Sequence, residues 1–443
     1  MEINTKPSFA DLDTLLARFA QLGAKKVFCK FLAENDNSKQ QIYLGGSFEV
    51  LKQLVFGQIQ AHSDLKTPNF KAPVPLYWID AQGQTEAALG TQLILYPKYP
   101  EIRLSGFLNG CTLAPSVSMQ VVPKADRRFN NGSDGRVLFL AVSDDKVFAF
   151  LALADSLIAN ELAVTPDRIS VKAVGALREI ISLKAPNSRT LLLDRLRLIH
   201  KAGWHNSMRL DKFGMRVPYQ APNGGGYTLE ALFGIVPNSR AAPDFDGWEI
   251  KGYSNSRITL MTPEPNAGYY GEHGVIEFLR KYGRKLPNDV IYFTGTHRCG
   301  IKSATSGQTL IADGFNIGTG EITNVDGGLH LLDSDGELSA AWTFSGLIDH
   351  WCRKHSAAVY IPYESSGRKP PEYSYKSPVT MAEGSTFNLF LSAIASGEVI
   401  YDPAPKLTNA SSLKPKAKAR SQFRVNFKNL NLLYERIEQV ALG

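Results

Sequence analysis

The pattern of hydrophobic and polar positions changes near residue 165. Before that point an amphipathic stretch at residues 9–22 predicts a helix, and residues 47–60 predict another. Short apolar stretches punctuated by turn residues predict strands at residues 26–32, 41–44, 76–79, 91–96, 101–104, 137–142 and 146–151. Such a series is typical of a small β-barrel or a strongly bent sheet.

Helical spacing becomes more prominent in the rest of the chain. An amphipathic helix that carries basic residues off its apolar stripe is predicted next, from residues that recur at helical spacing: Leu191, Leu192, Arg195, Leu196 and Ile199. A glycine-rich turn at residues 224–226 leads into a second predicted helix. We predict Thr228 as its N-cap, which would place Glu230 in its first turn.

Two strands are predicted next, over residues 247–252 and 256–262, and they would pair as a hairpin. The sequence thus predicts an α/β (α+β) chain with two domains. Residues 1–165 would form the β-barrel-like domain and residues 166–443 the mixed domain. Residues 166–190 would serve as a linker or connecting helix, with the break at Thr165-Pro166.

Composition narrows the class of protein. The 443 residues suffice for two or three domains, and the 44% hydrophobic and 21% charged contents are ordinary for globular proteins. No apolar run is long enough for a membrane span, and the first residues lack a secretory apolar segment. We therefore expect a soluble cytoplasmic protein that does not bind a membrane. The four cysteines lack metal-type spacing and indicate reduced structural thiols.

The strongest candidate for chemistry is the segment PDFDGWEIK at residues 243–251. In a strand, Glu249 and Lys251 project from the same face, and Asp244 approaches from the preceding turn. Two carboxylates suit Mg²⁺, which prefers oxygen ligands. The lysine would orient or help to deprotonate a water and stabilise charge on a phosphate. The alternative is an exposed strand face with solvated charges.

Several motifs in succession resemble those of the MvaI/BcnI restriction endonucleases, relatives of the mismatch-repair nickase MutH. The motifs span about residues 185–440 and are GGGYTLEALFGI, PDFDGWEIKG, ITLMTPEP, DGFNIGTGEITNVDGG, LLDSDGELSAAWTFSGLIDHW and KPKAKARSQFRV. The resemblance implies a PD-(D/E)xK nuclease fold, with a mixed central sheet flanked by helices.

The resemblance also implies roles for individual residues. Asp244, Glu249 and Lys251 would be catalytic, with Asp244 and Glu249 as the metal ligands. Glu230 would complete the metal shell or hold Lys251. Asp246 departs from the expected apolar residue, and it would be either a turn residue facing solvent or a rival ligand.

Positive charge is concentrated near the C-terminus, in a chain whose net charge is +7. Residues 411–420 are too polar and too interrupted by proline for a helix, which predicts a loop that meets DNA. Lys416 and Lys418 are the predicted phosphate contacts. The predicted base contacts are Arg420, Gln422 and Arg424. Further DNA candidates are Arg257, His297, Arg298 and Lys302; the alternative for every one of these residues is a solvated face.

The N-terminal domain has a second, shorter resemblance. Residues 27–36 and 41–44 are similar to the opening of the effector DNA-binding domain of EcoRII-type restriction enzymes, a pseudobarrel. This resemblance implies that a second duplex binds at strand edges and loops, and the alternative is a scaffold or a protein-contact module. The residues that would face this second duplex are Lys30, Lys98, Arg103, Arg127 and Arg128.

Together these features predict a site-specific endonuclease that hydrolyses double-stranded DNA with Mg²⁺. Mn²⁺ would substitute for Mg²⁺, and Ca²⁺ would bind without supporting cleavage. The resemblances imply a target such as CCWGG, where W is A or T, and engagement of two copies of the site. One active site per chain is compatible with a monomer that cuts one strand per binding event. The alternatives are a strand-nicking repair endonuclease similar to MutH and a non-catalytic DNA-binding regulator.

Overall fold

The chain forms two compact units, Met1–Ala185 and Pro186–Gly443. The computed structural model describes residues 9–33, 41–98, 101–120, 133–181, 188–237, 244–245, 247–355 and 357–443. Within these residues the fold is mixed α/β and rich in strands, which confirms the predicted fold class. None of the helices described has the length and apolar character needed to cross a membrane.

The first unit consists mainly of strands. Its helices are α1 (Leu12–Gln21) and α2 (Leu157–Val164), with 3₁₀ helices at Phe48–Gln53 and Pro166–Arg168. Its strands are β1 (Lys26–Ala33), β2 (Gln41–Gly45), β3 (Gln60–His62), β4 (Asn69–Pro73), β5 (Leu76–Ile79), β6 (Thr85–Ala87), β7 (Gln92–Tyr96), β8 (Glu101–Ser105), β9 (Ser133–Val142), β10 (Val147–Ala152), β11 (Ile169–Val174) and β12 (Leu177–Ile180).

Two sheets form this unit. One has seven strands in the order β11-β12-β1-β9-β10-β5-β6, and the other has five in the order β2-β8-β7-β4-β3. Helix α1 packs on the first sheet because Leu12, Leu15 and Phe19 recur at helical spacing and are fully buried. Asp11 caps this helix by accepting a hydrogen bond from Thr14 N at 2.7 Å.

The first unit differs from the sequence-based expectations in two places. The helix predicted over residues 47–60 is only the 3₁₀ helix Phe48–Gln53, because the chain then runs extended and Gly57 N donates to Pro73 O at 2.8 Å. The second place is the predicted connecting segment, residues 166–190. It contributes β11 and β12 to the larger sheet, where Cys29 of β1 pairs with Arg178.

The second unit contains α-helices of 9 to 15 residues. They are α3 (Ser188–Lys201), α4 (Gly224–Phe233), α5 (Gly268–Tyr282), α6 (Phe344–Lys354) and α7 (Phe387–Ala395), with a 3₁₀ helix at Phe427–Leu432. Its strands up to residue 313 are β13 (Trp204–Asn206), β14 (Met208–Leu210), β15 (Arg216–Pro218), β16 (Trp248–Tyr253), β17 (Arg257–Met261), β18 (Arg284–Leu286), β19 (Val290–Tyr292) and β20 (Thr309–Asp313).

The remaining strands complete several small sheets and the central one. They are β21 (Phe315–Asn316), β22 (Glu321–Ile322), β23 (Gly328–Leu332), β24 (Leu338–Thr343), β25 (Ala357–Ser365), β26 (Glu372–Tyr375), β27 (Val379–Glu383), β28 (Val399–Tyr401), β29 (Lys406–Thr408), β30 (Lys416–Lys418), β31 (Phe423–Asn426) and β32 (Arg436–Val440). The central sheet has the order β13-β26-β25-β27-β32, and β16 pairs with β25.

Strand β25 organises the central sheet. It pairs in parallel with the whole of β16 and antiparallel with β26 and β27. Trp248 and Ile250 of β16 share a buried core with residues of α3 and α4, including Leu196 and Leu229. These two helices therefore cover one face of the sheet, and the alternate residues of β16 project from the other face.

The start of helix α4 differs from the prediction. Asn223 is the residue at the N-cap position, so Thr228 lies inside the helix and Glu230 lies beyond the first turn. The glycines serve close packing instead of a turn, because a Cβ atom at Gly224 or Gly225 would collide with the rings of Tyr373 and Tyr363. The buried Thr228 hydroxyl accepts a hydrogen bond from Met208 N at 3.1 Å.

Two predictions about strand pairing are corrected by the structure. The hairpin of β16 with β17 is wrong: in the described residues β17 pairs antiparallel with β31, and β16 pairs with β25. Strand β25 is long and apolar and pairs with β16 along its full length, so β25 is the partner of β16 instead of β17. Residues 411–420 do not form a helix, as expected, but neither are they only a loop, because β30 pairs with β29.

Candidate active site

A tight turn brings Asp244 next to strand β16. Phe245 and Trp248 exchange two backbone hydrogen bonds, at 2.9 and 2.8 Å. Gly247 has φ +88°, a conformation that residues with a Cβ rarely adopt. The chain therefore reverses direction, and Asp244 Oδ2 accepts a hydrogen bond from Ile250 N at 2.9 Å. Asp246 and Pro243 lie outside the described residues.

Glu249 and Lys251 lie together on the face of β16 opposite Trp248 and Ile250. Lys251 Nζ lies 2.9 Å from Glu249 Oε1, and the exposed fractions of the two side chains are 16% and 4%. Burial of a charged carboxylate is costly unless a cation or hydrogen bonds compensate for it. The buried Glu249 carboxylate is compensated by the Lys251 amine. This pairing excludes the alternative of an exposed strand face with solvated charges.

The Lys251 amine is held in its charged form. Burial alone would lower its pKa, but the ion pair with Glu249 and the charges of Asp244 and Glu230 outweigh burial and raise the pKa above the usual lysine value. The three acids that the sequence singles out therefore all act electrostatically on this one amine. Glu230 reaches the site from α4, which packs against β16.

Two buried phenols, which the sequence does not single out, lie near the acids. Tyr360 is the register partner of Lys251 on β25, and its hydroxyl lies 2.8 Å from that of Tyr434. Burial, the neighbouring phenol and the charge of Glu249 raise the pKa of Tyr360. Both phenols come from segments distant in sequence, so no local pattern indicates them.

The donor set of this site fits a hard divalent cation. Among the described residues, no group of three or more His, Cys, Asp or Glu side chains lies close enough to hold a metal ion. Asp244 and Glu249 nevertheless both supply carboxylate oxygens, and the charges of both act on the Lys251 amine. Mg²⁺ is commonly bound by only one or two carboxylates and keeps several waters. A carboxylate has about four lone-pair sites, so it can accept hydrogen bonds and still bind a metal.

Comparison with known proteins places this geometry in a family. The sequence profile of the MvaI/BcnI restriction endonuclease family matches residues 193–434, which include the whole site. The chain belongs to the MvaI/BcnI restriction endonuclease family. It is therefore a site-specific DNA endonuclease of the type II restriction class. Restriction endonucleases generally use a divalent metal ion.

Solved structures of a family member are similar to this chain in part. A complex of restriction endonuclease MvaI with its cognate DNA substrate aligns with a TM-score of 0.45 and 19% identity, covering 59% of this chain and 100% of that chain. MvaI in the absence of DNA aligns with a TM-score of 0.33 and 17% identity, covering 58% and 100%. A comparison with curated proteins gives no match.

For this MvaI/BcnI-family enzyme, the three residues predicted to contact bases lie on one extended segment. Ser421, Phe423 and Val425 are buried, so Arg420, Gln422 and Arg424 alternate onto the opposite face. Residues 420 and 422 pair through backbone hydrogen bonds with residues 404 and 402, which extends the pairing of β28 with β31.

Asp402 organises two of the arginines on that sheet. Arg424 Nη1 lies 2.7 Å from Asp402 Oδ2, and Arg257 Nη1 lies 4.0 Å from the same oxygen. Arg424 also donates to the backbone oxygen of Arg257 at 3.4 Å. Arg420 is exposed, whereas Arg424 is already held by the carboxylate. The Asp402 carboxylate therefore holds Arg257 and Arg424 next to each other.

Lys416 and Lys418 belong to a positively charged sheet surface. A row of residues that are neighbours in strand register crosses β30, β29, β19 and β18, and it consists of Lys418, Lys406, Tyr292 and Arg284. Ile291 and Leu407, which alternate with these residues, are buried, so the row faces outward. We call this surface the basic sheet face. Its charged members are Arg284, Lys406, Lys416 and Lys418.

The remaining predicted DNA contacts in this unit lie on a turn between residues 297 and 302. Arg298 and Lys302 are exposed, and Arg298 donates to Gly397 O. His297 does not face DNA, because it is fully buried and its Nε2 lies 2.7 Å from Ser306 Oγ. Burial lowers the pKa of His297 to about 4.

The N-terminal candidates lie in different surroundings. Lys98 is exposed. Arg103 pairs with Glu101 at 2.9 Å, and its guanidinium lies over the ring of Tyr96. The prediction for Lys30 is wrong, because its strand lies between β9 and β12 and the residue is only 3% exposed. Arg127 and Arg128 lie outside the described residues.

Proposed function

We propose that this enzyme hydrolyses phosphodiester bonds in double-stranded DNA at a short specific sequence, with Mg²⁺ bound by Asp244 and Glu249. The observation that carries the proposal is the arrangement of these two acids around Lys251. Asp244 is fixed by Ile250 N, and Glu249 is fixed by the Lys251 amine. When bound, the metal ion supplies a Lewis acid that polarises the scissile phosphate and makes water a stronger nucleophile.

Lys251 would act as a cation in this reaction. Its raised pKa keeps the amine protonated, and a protonated amine has no lone pair with which to accept a proton. This supports a role in which Nζ donates hydrogen bonds to the attacking water and to negative charge developing on the phosphate.

Glu230 would hold Lys251 instead of binding the metal. Its charge contributes to the raised pKa of Lys251, whereas it does not join Asp244 and Glu249 in a metal-binding group of the described residues. Glu230 lies on α4, and Lys251 lies on the strand against which α4 packs. Its contribution would therefore be to keep the amine charged.

DNA would contact the second unit through two surfaces. Arg420, Gln422 and Arg424 share one face, and side chains of these types pair with base edges. The basic sheet face has four cations and would contact phosphates, which position the duplex without reading its sequence. The target that we propose, CCWGG, rests on the likeness to the MvaI/BcnI family.

A second copy of the target would bind the first unit. Exposed Lys98 and partly exposed Arg103 support this proposal. A plasmid with two target sites should then be cut faster than a plasmid with one, and Lys98→Ala should remove that advantage. Equal rates on both plasmids would restrict DNA binding to the second unit.

Metal dependence and a single substitution test the catalytic site. The wild type should cut a supercoiled plasmid in Mg²⁺ or Mn²⁺ and should bind without cutting in Ca²⁺. Asp244→Asn keeps an oxygen that can accept from Ile250 N, so it should bind DNA in Ca²⁺ and melt at the wild-type temperature, yet fail to cut. Cleavage in EDTA, or cleavage by Asp244→Asn, would contradict the assignment.

A further inference from the structure

The hairpin of β14 and β15 has a tip that is ordered by its own hydrogen bonds. Met208 pairs with Pro218 and Leu210 with Arg216, which leaves residues 211–215 as the connection. Asp211 orders this connection, because its Oδ1 accepts hydrogen bonds from residues 213 and 215, both at 2.9 Å. Asp211 N also donates to the backbone oxygen of residue 215. The tip is therefore preorganised.

Two large apolar side chains stand at this tip. Phe213 is 76% exposed and Met215 is 65% exposed. Cations surround them: Lys212 Nζ lies 4.8 Å from the centroid of the Phe213 ring, and Arg209 and Arg216 are exposed on the two strands. The one acid of the hairpin is Asp211, which is engaged in the turn. The hairpin thus combines two exposed apolar side chains at its tip with cationic side chains on either side of them.

The base of the hairpin is attached to the helix that carries Glu230. Thr228 Oγ1 accepts from Met208 N at 3.1 Å and lies within hydrogen-bond distance of Met208 O at 3.3 Å. Arg209 lies over the ring of Tyr219, and that ring packs edge-on against Tyr227 of α4 at 4.9 Å. Helix α4 packs against β16, so the hairpin is built onto the same framework as the catalytic residues.

We propose that the β14–β15 hairpin is a DNA-binding arm whose tip residues, Phe213 and Met215, insert into the minor groove next to the cut site. Arg209, Lys212 and Arg216 contact the flanking phosphates. This inference rests on the proposed function, since it assumes a duplex at the active site. Phe and Met are among the side chains with which proteins wedge apart base steps from the minor groove and kink the duplex. The positive flanks match a polyanion, whereas they would repel a second copy of the same hairpin.

The test uses the full-length enzyme and a duplex of about 30 base pairs around its mapped cut site, in Ca²⁺. Phe213→Ala/Met215→Ala should weaken binding roughly tenfold, the expected size of one lost aromatic contact with a base. It should also reduce the DNA bend measured by energy transfer between dyes at the two ends. The slope of log Kd against log salt should stay unchanged, because no phosphate contact is removed.

Two other variants separate the contribution of the positive charge at the tip from that of the aromatic ring. Lys212→Ala should reduce the salt slope by about 0.9 while leaving the bend intact. Phe213→Trp should keep both affinity and bend, because an aromatic wedge remains. Leu157→Ala, at an exposed apolar residue of the first unit, is the matched control and should leave every quantity at the wild-type value.

The outcomes distinguish this inference from the proposed function. Failure of the wild type to bind or cut any duplex would overturn both. Wild-type binding and bending by Phe213→Ala/Met215→Ala would overturn the arm alone. A change in oligomeric state with unaltered DNA binding would also overturn the arm, because it would assign the tip to a protein contact.

Discussion

Replacing Lys251 with methionine removes the ammonium group beside Glu249 and keeps an unbranched side chain of similar length. In the wild type the two charged groups are 2.9 Å apart, with exposed fractions of 16% and 4%. Removal of one partner of a buried ion pair costs about 3–5 kcal/mol. Because Lys251 keeps some contact with solvent, we expect the lower value, a loss of about 3 kcal/mol in the free energy of unfolding of the second unit.

Calorimetry in EDTA and in Ca²⁺ measures this effect. A loss of about 3 kcal/mol corresponds to a decrease of roughly 6 to 12 °C in the melting temperature in EDTA. Ca²⁺ should reverse much of the decrease, because a bound cation replaces the missing charge beside Glu249 and ligand binding stabilises the folded state. Since Lys251 repels a cation in the wild type, Ca²⁺ should raise the melting temperature of Lys251→Met more than that of the wild type. Cleavage in Mg²⁺ should fall at least about a hundredfold.

An exposed ion pair provides the matched control. Lys376 lies 3.0 Å from Glu364, and the side chains are 37% and 65% exposed. Exposed pairs contribute at most about 1 kcal/mol, so Lys376→Met should melt near the wild-type temperature and show no additional stabilisation by Ca²⁺. The reasoning is refuted if Lys251→Met is as stable in EDTA as the wild type. It is also refuted if Ca²⁺ stabilises the two variants equally.

Two further predictions concern pH and salt. The pKa of His297 is about 4 in the folded chain and about 6.5 in the unfolded chain, so stability should be complete above pH 6.5 and decrease as pH falls toward 4. His297→Gln should flatten this decrease in urea titrations, and an unaltered pH slope would contradict the prediction. Lys418→Ala should reduce the slope of log Kd against log salt by about 0.9. Lys25→Ala, in the first unit, is the control and should leave that slope unchanged. Equal slopes for both variants would remove Lys418 from the DNA interface.

Local geometry explains why the chemistry around β16 is predictable from sequence. Alternation within one strand is enough to place Glu249 and Lys251 on the same face. Asp244 is close in sequence, and Gly247 permits the turn that brings it beside Ile250. Only backbone geometry over a few residues is involved.

Long-range pairing is the part that sequence does not reveal. Strand β25, which pairs with β16, lies far later in the chain, and a nearby strand is the simpler partner by pattern alone. The basic sheet face has the same origin, because only the register of β29 and β30 places Lys406 beside Lys418. Tertiary packing also decides the start of α4, where Tyr363 and Tyr373 require glycine at positions that suggest a turn.

Sequencing the ends of a digested plasmid tests the central claim most directly. The wild-type enzyme in Mg²⁺ should produce breaks or nicks at one short sequence, proposed to be CCWGG. Glu249→Gln, which keeps the shape of the side chain but loses its charge, should leave the same plasmid intact under identical conditions. Ends at random positions would contradict site-specific cleavage. Wild-type cutting by Glu249→Gln would contradict the metal site formed by Asp244 and Glu249.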